Sequence, residues 1–197
     1  MLYTIKISGG MIKDLEKTSH KSLIVKKVFI LLFSVLTGCD SDEVDITPPV
    51  LSISPVAMDH VDSFIPFGAE LSPIQKNPAI EYFTDQADVS VRSVSEGVVV
   101  DIRGNPNIDD YEIWGRPSDL SKWLIIYDHI LNIEVSIGDQ IAINQTIGTV
   151  GLNNRTELQI NDNQNLAYCP LQFGTDSFTQ QHLNFSENWC LEETVIP

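Results

Sequence analysis

The sequence of 197 residues is poor in basic side chains: 12 Lys and Arg stand against 27 Asp and Glu, which gives a net charge of −15 at pH 7. Six of the lysines lie within residues 1–38. A chain with this balance repels nucleic-acid phosphates and anionic lipid head groups. The charge therefore excludes nucleic-acid binding, and it leaves cationic partners or plain solubility as its explanation.

The sequence also lacks a hydrophobic run long enough to cross a bilayer, for which about 20 residues are needed. Residues 28–39, "VFILLFSVLTGC", form a shorter apolar run that follows Lys26 and Lys27. A positive flank, a short apolar core and small residues before a cleavage site are typical of a secretory signal. Residues 1–38 are therefore predicted to be a signal peptide.

The end of this run, "LTGC", resembles the lipobox of bacterial lipoproteins, in which the cysteine is diacylated and becomes the new N-terminus. The resemblance implies a lipid on Cys39 and a membrane anchor in the bacterial cell envelope, facing the periplasm or the exterior. Two acyl chains give stable anchoring where one does not. The alternatives are an ordinary signal with an incidental cysteine, or a short buried helix. Without residues 1–38 the chain would keep 6 basic and 25 acidic residues, a net charge of −19.

Cysteine is scarce as well, with three in the whole chain. If Cys39 carries lipid, Cys169 and Cys190 remain, and in an oxidising compartment such a pair is expected to form a disulfide. A metal site would instead need more Cys or His at close spacing, which the sequence does not offer.

Composition divides the rest of the chain into three segments. Residues 39–57 are acidic and rich in Pro and Ser, as expected of a tether between an anchor and a domain. Residues 58–173 have the length of one ordinary domain. Residues 174–197 form a tail of little periodicity, which the predicted disulfide would clip to the domain.

The domain shows a β pattern throughout. "VSVRSVSEGVVVDIR", "KWLIIYDHI" and "TELQIN" alternate or run apolar, and they are rich in β-branched and aromatic residues. Glycines 97, 115, 138, 148 and 151 interrupt these segments, where they allow positive φ or close backbone approach. Since no segment has convincing helical periodicity over ten residues, the fold class is predicted to be all-β, a sandwich or barrel.

Two segments carry a more specific signal. "VRSVSEGVVVDI" and, further on, "VSIGDQIAINQTIGTVG" resemble the hybrid motif shared by biotinyl/lipoyl carrier domains and lysostaphin-type (LytM-like) zinc metallopeptidases. A carrier domain would present a modifiable lysine in a hairpin between the two halves. The lysine between Gly97 and Gly138 is Lys122, which lies inside an apolar strand and is a poor attachment point. The LytM-like β-sandwich/barrel is therefore the favoured alternative.

Members of the LytM-like family bind zinc through His-x-x-x-Asp and a final His-x-His, and a Tyr-x-His-Leu segment supplies a catalytic histidine. Here "YDHI" resembles the last of these and places His129 at the catalytic position. "NPAIE" places Asn77 and Glu81 at the first two ligands. "ELQIN" places Glu157 at the second catalytic histidine and Gln159 at the third ligand.

These replacements predict that no zinc is held. Zinc prefers His, Cys and carboxylate ligands, whereas Asn77, Glu81 and Gln159 offer one carboxylate and two neutral amides. Without a bound zinc, nothing lowers the pKa of an attacking water toward about 7. The resemblance therefore implies a peptidase fold with a degenerate metal site and no cofactor.

The strand "TELQIN" still places polar side chains together. Because strand residues alternate between faces, Glu157, Gln159 and Asn161 share one side, opposite Thr156, Leu158 and Ile160. This polar side is either a retained groove or an inert solvated face.

His129 has two interpretations. It is either the last member of a catalytic set near Glu157, or a strand-end histidine held by Asp128 or a backbone carbonyl. The second is favoured, because a lone histidine without zinc has no nucleophile to activate. A metal centre made of His60, His129 and His182 stays open, because the sequence does not give their separations.

Two tryptophans in "WGRPSDLSKW", Trp114 and Trp123, are expected to pack in the core or at an edge of the sheet, with a surface for glycan or peptide as the alternative.

The function indicated is that of an envelope lipoprotein whose LytM-like domain binds cell-wall components, such as peptidoglycan, or regulates a cell-wall hydrolase. The alternative is an active peptidoglycan or peptide metalloendopeptidase with an atypical metal site. The first is an interaction module and the second an enzyme, so metal content and hydrolysis distinguish them.

Overall fold

A computed structural model describes residues 43–197 of the chain. The predicted signal peptide, Cys39 and the first residues of the predicted tether lie outside this range. Within it, thirteen strands account for most of the regular structure, and a single α-helix, α1, spans Asp176–Leu183. The all-β prediction is confirmed. No helix of residues 43–197 has the length and apolar character that a membrane crossing requires.

The strands in the first half are β1 (Val61–Ile65), β2 (Glu70–Ser72), β3 (Gln75–Lys76), β4 (Ile80–Thr84), β5 (Ser90–Arg92), β6 (Gly97–Gly104) and β7 (Tyr111–Arg116). Those in the second half are β8 (Leu124–Leu131), β9 (Gln140–Ile141), β10 (Thr146–Val150), β11 (Arg155–Asn161), β12 (Ala167–Tyr168) and β13 (Thr194–Val195). Short 3-10 turns occupy Met58–His60 and Pro170–Phe173.

One antiparallel sheet organises the domain. Its main path runs β1-β4-β11-β8-β7-β6-β9, while β10 pairs with β5 and β8, and β12 joins β11 to β13. Strand β11 therefore lies in the interior of the path, between β4 and β8. The small β2–β3 hairpin forms a separate two-stranded sheet.

Strand alternation places the core on one face of this sheet. Along β11, Thr156, Leu158 and Ile160 are fully buried, whereas Arg155, Glu157 and Gln159 are half-buried on the other side. The predicted division of "TELQIN" between an apolar and a polar face is therefore present in the structure.

The C-terminal tail, which is predicted to be clipped to the domain by the disulfide, also packs into the domain. Thr175 caps helix α1 by accepting a hydrogen bond from the backbone N–H of Phe178. Phe178, His182 and Trp189 are fully buried, so the tail supplies part of the core. We call the ring assembly formed there the aromatic cluster; its members are Phe64, Tyr82, Phe178, His182, Phe185 and Trp189.

The predicted disulfide is present between Cys169 and Cys190, whose Cα atoms lie 5.9 Å apart. It joins the end of β12 to the residue after Trp189. The tail is thus held both by the covalent bridge and by burial of its aromatic side chains.

Residues 45–57 differ from the tether predicted for residues 39–57. Leu51 and Val56 are fully buried, and the Leu51 backbone exchanges hydrogen bonds with Phe173 and Thr175. The Asp45 backbone also bonds to the turn before β8: its N–H donates to the Leu120 oxygen, and its oxygen accepts from the Lys122 N–H. The apolar residues scattered among the prolines dock this segment on the domain, which composition alone did not reveal.

Candidate functional site

Strand β8 changes partner at His129. Residues from Leu124 to Asp128 pair with β11, whereas Ile130 and Leu131 pair with β10. Between them His129 adopts a positive φ of 56°. A non-glycine residue in this conformation costs of order 1–3 kcal/mol, and such strain concentrates at functional sites. The unusual backbone turns the ring of His129 out of the regular alternation of the strand.

The His129 side chain is buried among carboxylates. Its Nδ1 lies 2.9 Å from Asp110 Oδ2, and its Nε2 lies 3.5 Å from Glu157 Oε1 and 3.8 Å from Asp128 Oδ2. The ring therefore has an acidic group at each nitrogen. We call Asn105, Asp110, Asp128, His129 and Glu157 the polar cluster.

Asn105 links two of these carboxylates. Its Nδ2 donates to Asp110 Oδ1 and to Asp128 Oδ1, each at 2.7 Å. Asp128 Oδ1 also accepts the backbone N–H of His129. The turn between β6 and β7, which carries Asn105 and Asp110, is thereby fixed against the point where β8 changes partner.

The charge of His129 follows from these contacts. Burial by itself would lower the pKa of His129, but hydrogen bonding and charge from Glu157, Asp128 and Asp110 outweigh it and raise the pKa to about 9. The raised pKa favours the imidazolium form of His129 at neutral pH, in which Nδ1–H donates to Asp110 Oδ2 and Nε2 lies near Glu157 and Asp128. An imidazolium has no lone pair for a metal ion and cannot act as a general base.

Gly151 allows the turn between β10 and β11 to approach this cluster. A Cβ on Gly151 would lie 2.7 Å from Asp110 Oδ2 and 2.7 Å from the backbone oxygen of His129. Gly148 is similarly crowded by Ile130 and Leu131. Neither glycine has a positive φ, so both are needed for close approach, whereas Gly138 has a φ of 93° in the Gly-Asp turn.

A second charged pair lies beside the polar cluster. Glu81 on β4 stands opposite Glu157 on β11, and Arg155 Nη1 lies 2.6 Å from Glu81 Oε1. Burial and the charge of Glu157 raise the pKa of Glu81, and Arg155 acts against both. Burial also raises the pKa of Asp128, against the hydrogen bond from Asn105. The carboxylates are therefore crowded, and Arg155 and His129 are the cations among them.

The remaining positions matched to family ligands use their polar groups elsewhere. Asn77 is buried, donates from Nδ2 to the backbone oxygen of Pro66 and accepts the backbone N–H of Ala79. Gln159 Nε2 donates to Asn161 Oδ1 at 2.8 Å, on the polar side of β11. Among the hydrogen bonds and ion pairs of residues 43–197, none joins Asn77 to Glu81 or Gln159.

The other two described histidines are not part of this site. His60 is exposed near Asp85, and His182 is buried in the aromatic cluster between Tyr82 and Phe178. Within residues 43–197, the group of His, Cys, Asp and Glu side chains close enough to share an ion is Asp110, Asp128 and His129. The structure therefore does not gather His60, His129 and His182 into a metal centre.

The two tryptophans of the β7–β8 hairpin differ. Trp123 is buried and packs edge-to-face on Tyr168 and Phe173, as the packing interpretation expects. Trp114 is half-buried, with the guanidinium of Arg103 3.9 Å from its ring centre and its Nε1 donating to Glu112.

Sequence reasoning missed Asp110, Asn105 and Arg155. Asp110 is nineteen residues from His129 and meets it because β7 and β8 pair. A signal for Arg155 was available: extending the predicted strand "TELQIN" by one residue places Arg155 two residues before Glu157, on the same face. Its partner Glu81 could not be inferred without the pairing of β4 and β11.

No family model matches this sequence, and no curated protein matches it. Solved structures match in fold. The solution structure of lysostaphin has a TM-score of 0.53 at 16% identity, and the match covers 64% of this chain and 58% of that one. A chain of the SpoIIQ–SpoIIIAH pore forming complex has a TM-score of 0.53 at 19% identity, over 70% of this chain and 98% of that one. Helicobacter pylori Csd3 has a TM-score of 0.51 at 16% identity, over 70% of this chain and 38% of that one.

Proposed function

We propose that this domain, which has the β-sheet fold of lysostaphin-type (LytM-like) peptidase domains, is a binding or regulatory module of the cell envelope without peptidase activity. The observation that carries the proposal is the occupation of the matched ligand positions. Asn77 donates to the backbone oxygen of Pro66, Glu81 accepts from Arg155, and Gln159 donates to Asn161.

The residues present do not fit a catalytic zinc ion. Zinc sites that catalyse hydrolysis use three strong ligands and one open position. Here two of the three matched side chains are neutral amides, and the one carboxylate already has a guanidinium at hydrogen-bonding distance. The catalytic histidine position is filled by His129, whose raised pKa keeps it protonated. No hydrolytic step is derived from this arrangement.

The chemistry of the site favours a cationic group on the partner. Four carboxylates, those of Glu81, Asp110, Asp128 and Glu157, surround the two cations Arg155 and His129. The remaining negative charge attracts ammonium or guanidinium groups. Amines of wall peptides, or basic side chains of a cell-wall hydrolase, have this chemistry. The structural neighbours, one of them part of a pore forming complex, are compatible with a role in assembly as well as in hydrolysis.

The cellular setting is also part of the proposal. Cys39 in "LTGC" would carry the lipid anchor, and the domain would face the periplasm or the exterior. Cys39→Ser is expected to move the protein from the membrane fraction to the soluble fraction. Unchanged membrane fractionation of this variant would contradict the lipid anchor, without bearing on the domain.

The second candidate is a metallopeptidase with an atypical metal site. It is favoured by the cluster of Asp110, Asp128 and His129, whose possible ligand atoms lie within 4.8 Å of one another. A metal ion there would have to displace a proton from His129 and the bridging amide of Asn105. We therefore place it second.

Elemental analysis of purified protein, combined with a peptidoglycan digestion assay, separates the two candidates. The binding module is expected to hold far less than one zinc per chain and to leave peptidoglycan intact. Stoichiometric zinc that is lost in Asp110→Ala, together with hydrolysis, would return the enzyme to first place.

The match of positions has its own test. The triple substitution Asn77→His, Glu81→Asp and Gln159→His should raise zinc affinity if the matched positions converge as in the family. Turnover is not expected to return, because Glu157 still occupies the second catalytic position. Because Arg155 already occupies Glu81, the triple variant is also made with Arg155→Met, and no gain in zinc affinity by this folded variant would show that the match is wrong.

A further inference from the structure

The pairing of β4 with β11 creates an electrostatic conflict. It places Glu81 directly opposite Glu157, and like charges in this position are destabilising. Glu81 is 4% exposed, so solvent does little to relieve the conflict. A buried carboxylate in such surroundings needs a cation or a proton.

Arg155 supplies that cation from within the chain. It lies two residues before Glu157 on β11, on the same face, and its Nη1 lies 2.6 Å from Glu81 Oε1. An arginine side chain stays charged at all relevant pH values, so its charge at Glu81 is permanent. A metal ion, in contrast, leaves when its free concentration falls.

We propose that Arg155 is a built-in replacement for a metal ion at Glu81: it compensates the buried carboxylates and denies Glu81 to divalent cations. The proposal rests on the proposed degenerate metal position, because Glu81 is the residue matched to a family ligand. It goes further in assigning the loss of metal binding to one side chain outside the matched motifs. Amide ligands alone would weaken a metal site, whereas the guanidinium excludes the ion from it.

If Arg155 blocks Glu81, removing the guanidinium should open a metal site. Without the guanidinium, Glu81 and Glu157 face each other with no fixed cation on the β4 side, and Asp128 pairs with Glu157 from the other strand. Carboxylate oxygens are suited to hard divalent ions such as Mn²⁺. Removing Arg155 should therefore turn the pair of carboxylates into a binding site for Mn²⁺.

The test is calorimetric titration of MnCl₂ into the full chain at pH 7.5, with Arg155→Met compared with the unmodified protein. Arg155→Met keeps much of the side-chain length and removes the charge. We expect Mn²⁺ affinity to rise at least tenfold, with one ion per chain. Arg155→Lys keeps a cation and should show no gain. The double variant Arg155→Met/Glu81→Gln should lose the gain.

Folding of each variant is checked by near-UV circular dichroism. If Arg155→Met does not fold alone, the proposal requires that millimolar Mn²⁺ restores its fold, and that Arg155→Met/Glu81→Gln folds without Mn²⁺. A folded Arg155→Met with unchanged Mn²⁺ affinity would overturn the proposal, as would an unfolded one that Mn²⁺ does not rescue. The proposed function is tested separately, by zinc content and hydrolysis in the unmodified protein.

Discussion

Within residues 43–197, one buried histidine lies in the polar cluster and another lies in the aromatic cluster. His129 faces Asp110, Asp128 and Glu157, which together raise its pKa to about 9. His182 lies between the hydroxyl of Tyr82 and the backbone oxygen of Phe178, and burial lowers its pKa to about 4. The same side chain is therefore charged in one region and neutral in the other.

The difference shows that burial alone does not decide the charge of a histidine: carboxylate partners outweigh burial at His129, whereas burial prevails at His182, which has no acidic partner among residues 43–197. In the aromatic cluster, Nδ1–H of His182 donates to a carbonyl and Nε2 accepts from a hydroxyl, so one neutral tautomer satisfies both contacts. In the polar cluster the groups near both ring nitrogens are carboxyl groups, which favour the imidazolium form. The first arrangement is that of an apolar core, and the second is that of a buried charged cluster.

The largest expected effect tests the aromatic cluster. Trp189 is fully buried, stacks on Phe64 at 3.8 Å between ring centres, and donates from Nε1 to His182 O. Trp189→Ala should lower the free energy of unfolding by about 3–5 kcal/mol, because it leaves a large cavity and removes the hydrogen bond from Nε1. Urea denaturation followed by far-UV circular dichroism measures this. The matched control is Trp114→Ala, a half-buried tryptophan, for which a loss as large as that of Trp189→Ala would contradict the assignment.

The next effect tests the polar cluster. Asp110→Asn keeps the shape of the partner of His129 but removes its charge, so the pKa of His129 should fall from about 9 toward its ordinary value. We expect a loss of about 1–3 kcal/mol in unfolding free energy, as for hydrogen bonds to charged groups. NMR titration of the imidazole gives the pKa. Asp85→Asn, which alters the exposed partner of His60, is the control; an unchanged His129 pKa in Asp110→Asn would show that Asp110 does not hold the charge.

The sequence predicted much of the frame in which these clusters lie. Alternation predicted the strands and the polar face of β11, and the scarcity of cysteine predicted the disulfide between Cys169 and Cys190. Both are local or compositional signals. The predicted lipid on Cys39 lies outside the described residues and stays a prediction.

The clusters themselves were not predictable in the same way, because their contacts cross strand pairings. Asp110 reaches His129 only through the β7–β8 pairing, and Arg155 reaches Glu81 only through β4 and β11. The burial of the tail was not predicted, because Phe178 and Trp189 show no periodic spacing in the sequence.

A smaller effect separates the two histidines by pH. The folded pKa of His129, about 9, lies above 6.5, so its contribution to stability is full below pH 6.5 and is lost as pH rises through 9. The folded pKa of His182, about 4, lies below 6.5, so its contribution is full above pH 6.5 and is lost as pH falls through 4. Stability should therefore decline on both sides of pH 6.5, as measured by urea denaturation between pH 4 and 9.

The control for this profile is residue-specific. The alkaline decline should weaken in Asp110→Asn, because the pKa of His129 then returns toward that of the unfolded chain, and the acid decline should remain. If both imidazoles titrated near pH 6.5 in the folded protein, His129 and His182 would not differ in charge, and the comparison of the two clusters would be wrong.

The smallest effect belongs to His60, which lies outside both clusters. Its ring is 37% exposed and its Nδ1 lies 3.3 Å from Asp85, whose side chain is 56% exposed. An exposed ion pair contributes little, because water screens it and ordering the side chains costs entropy. His60→Ala should therefore change the free energy of unfolding by less than about 0.5 kcal/mol at pH 6 and at pH 8. Urea denaturation of His60→Ala and Asp110→Asn at both pH values measures the two losses in unfolding free energy. If the loss in His60→Ala were as large as that in Asp110→Asn, pairing with an acid would account for the stabilisation at His129 without burial.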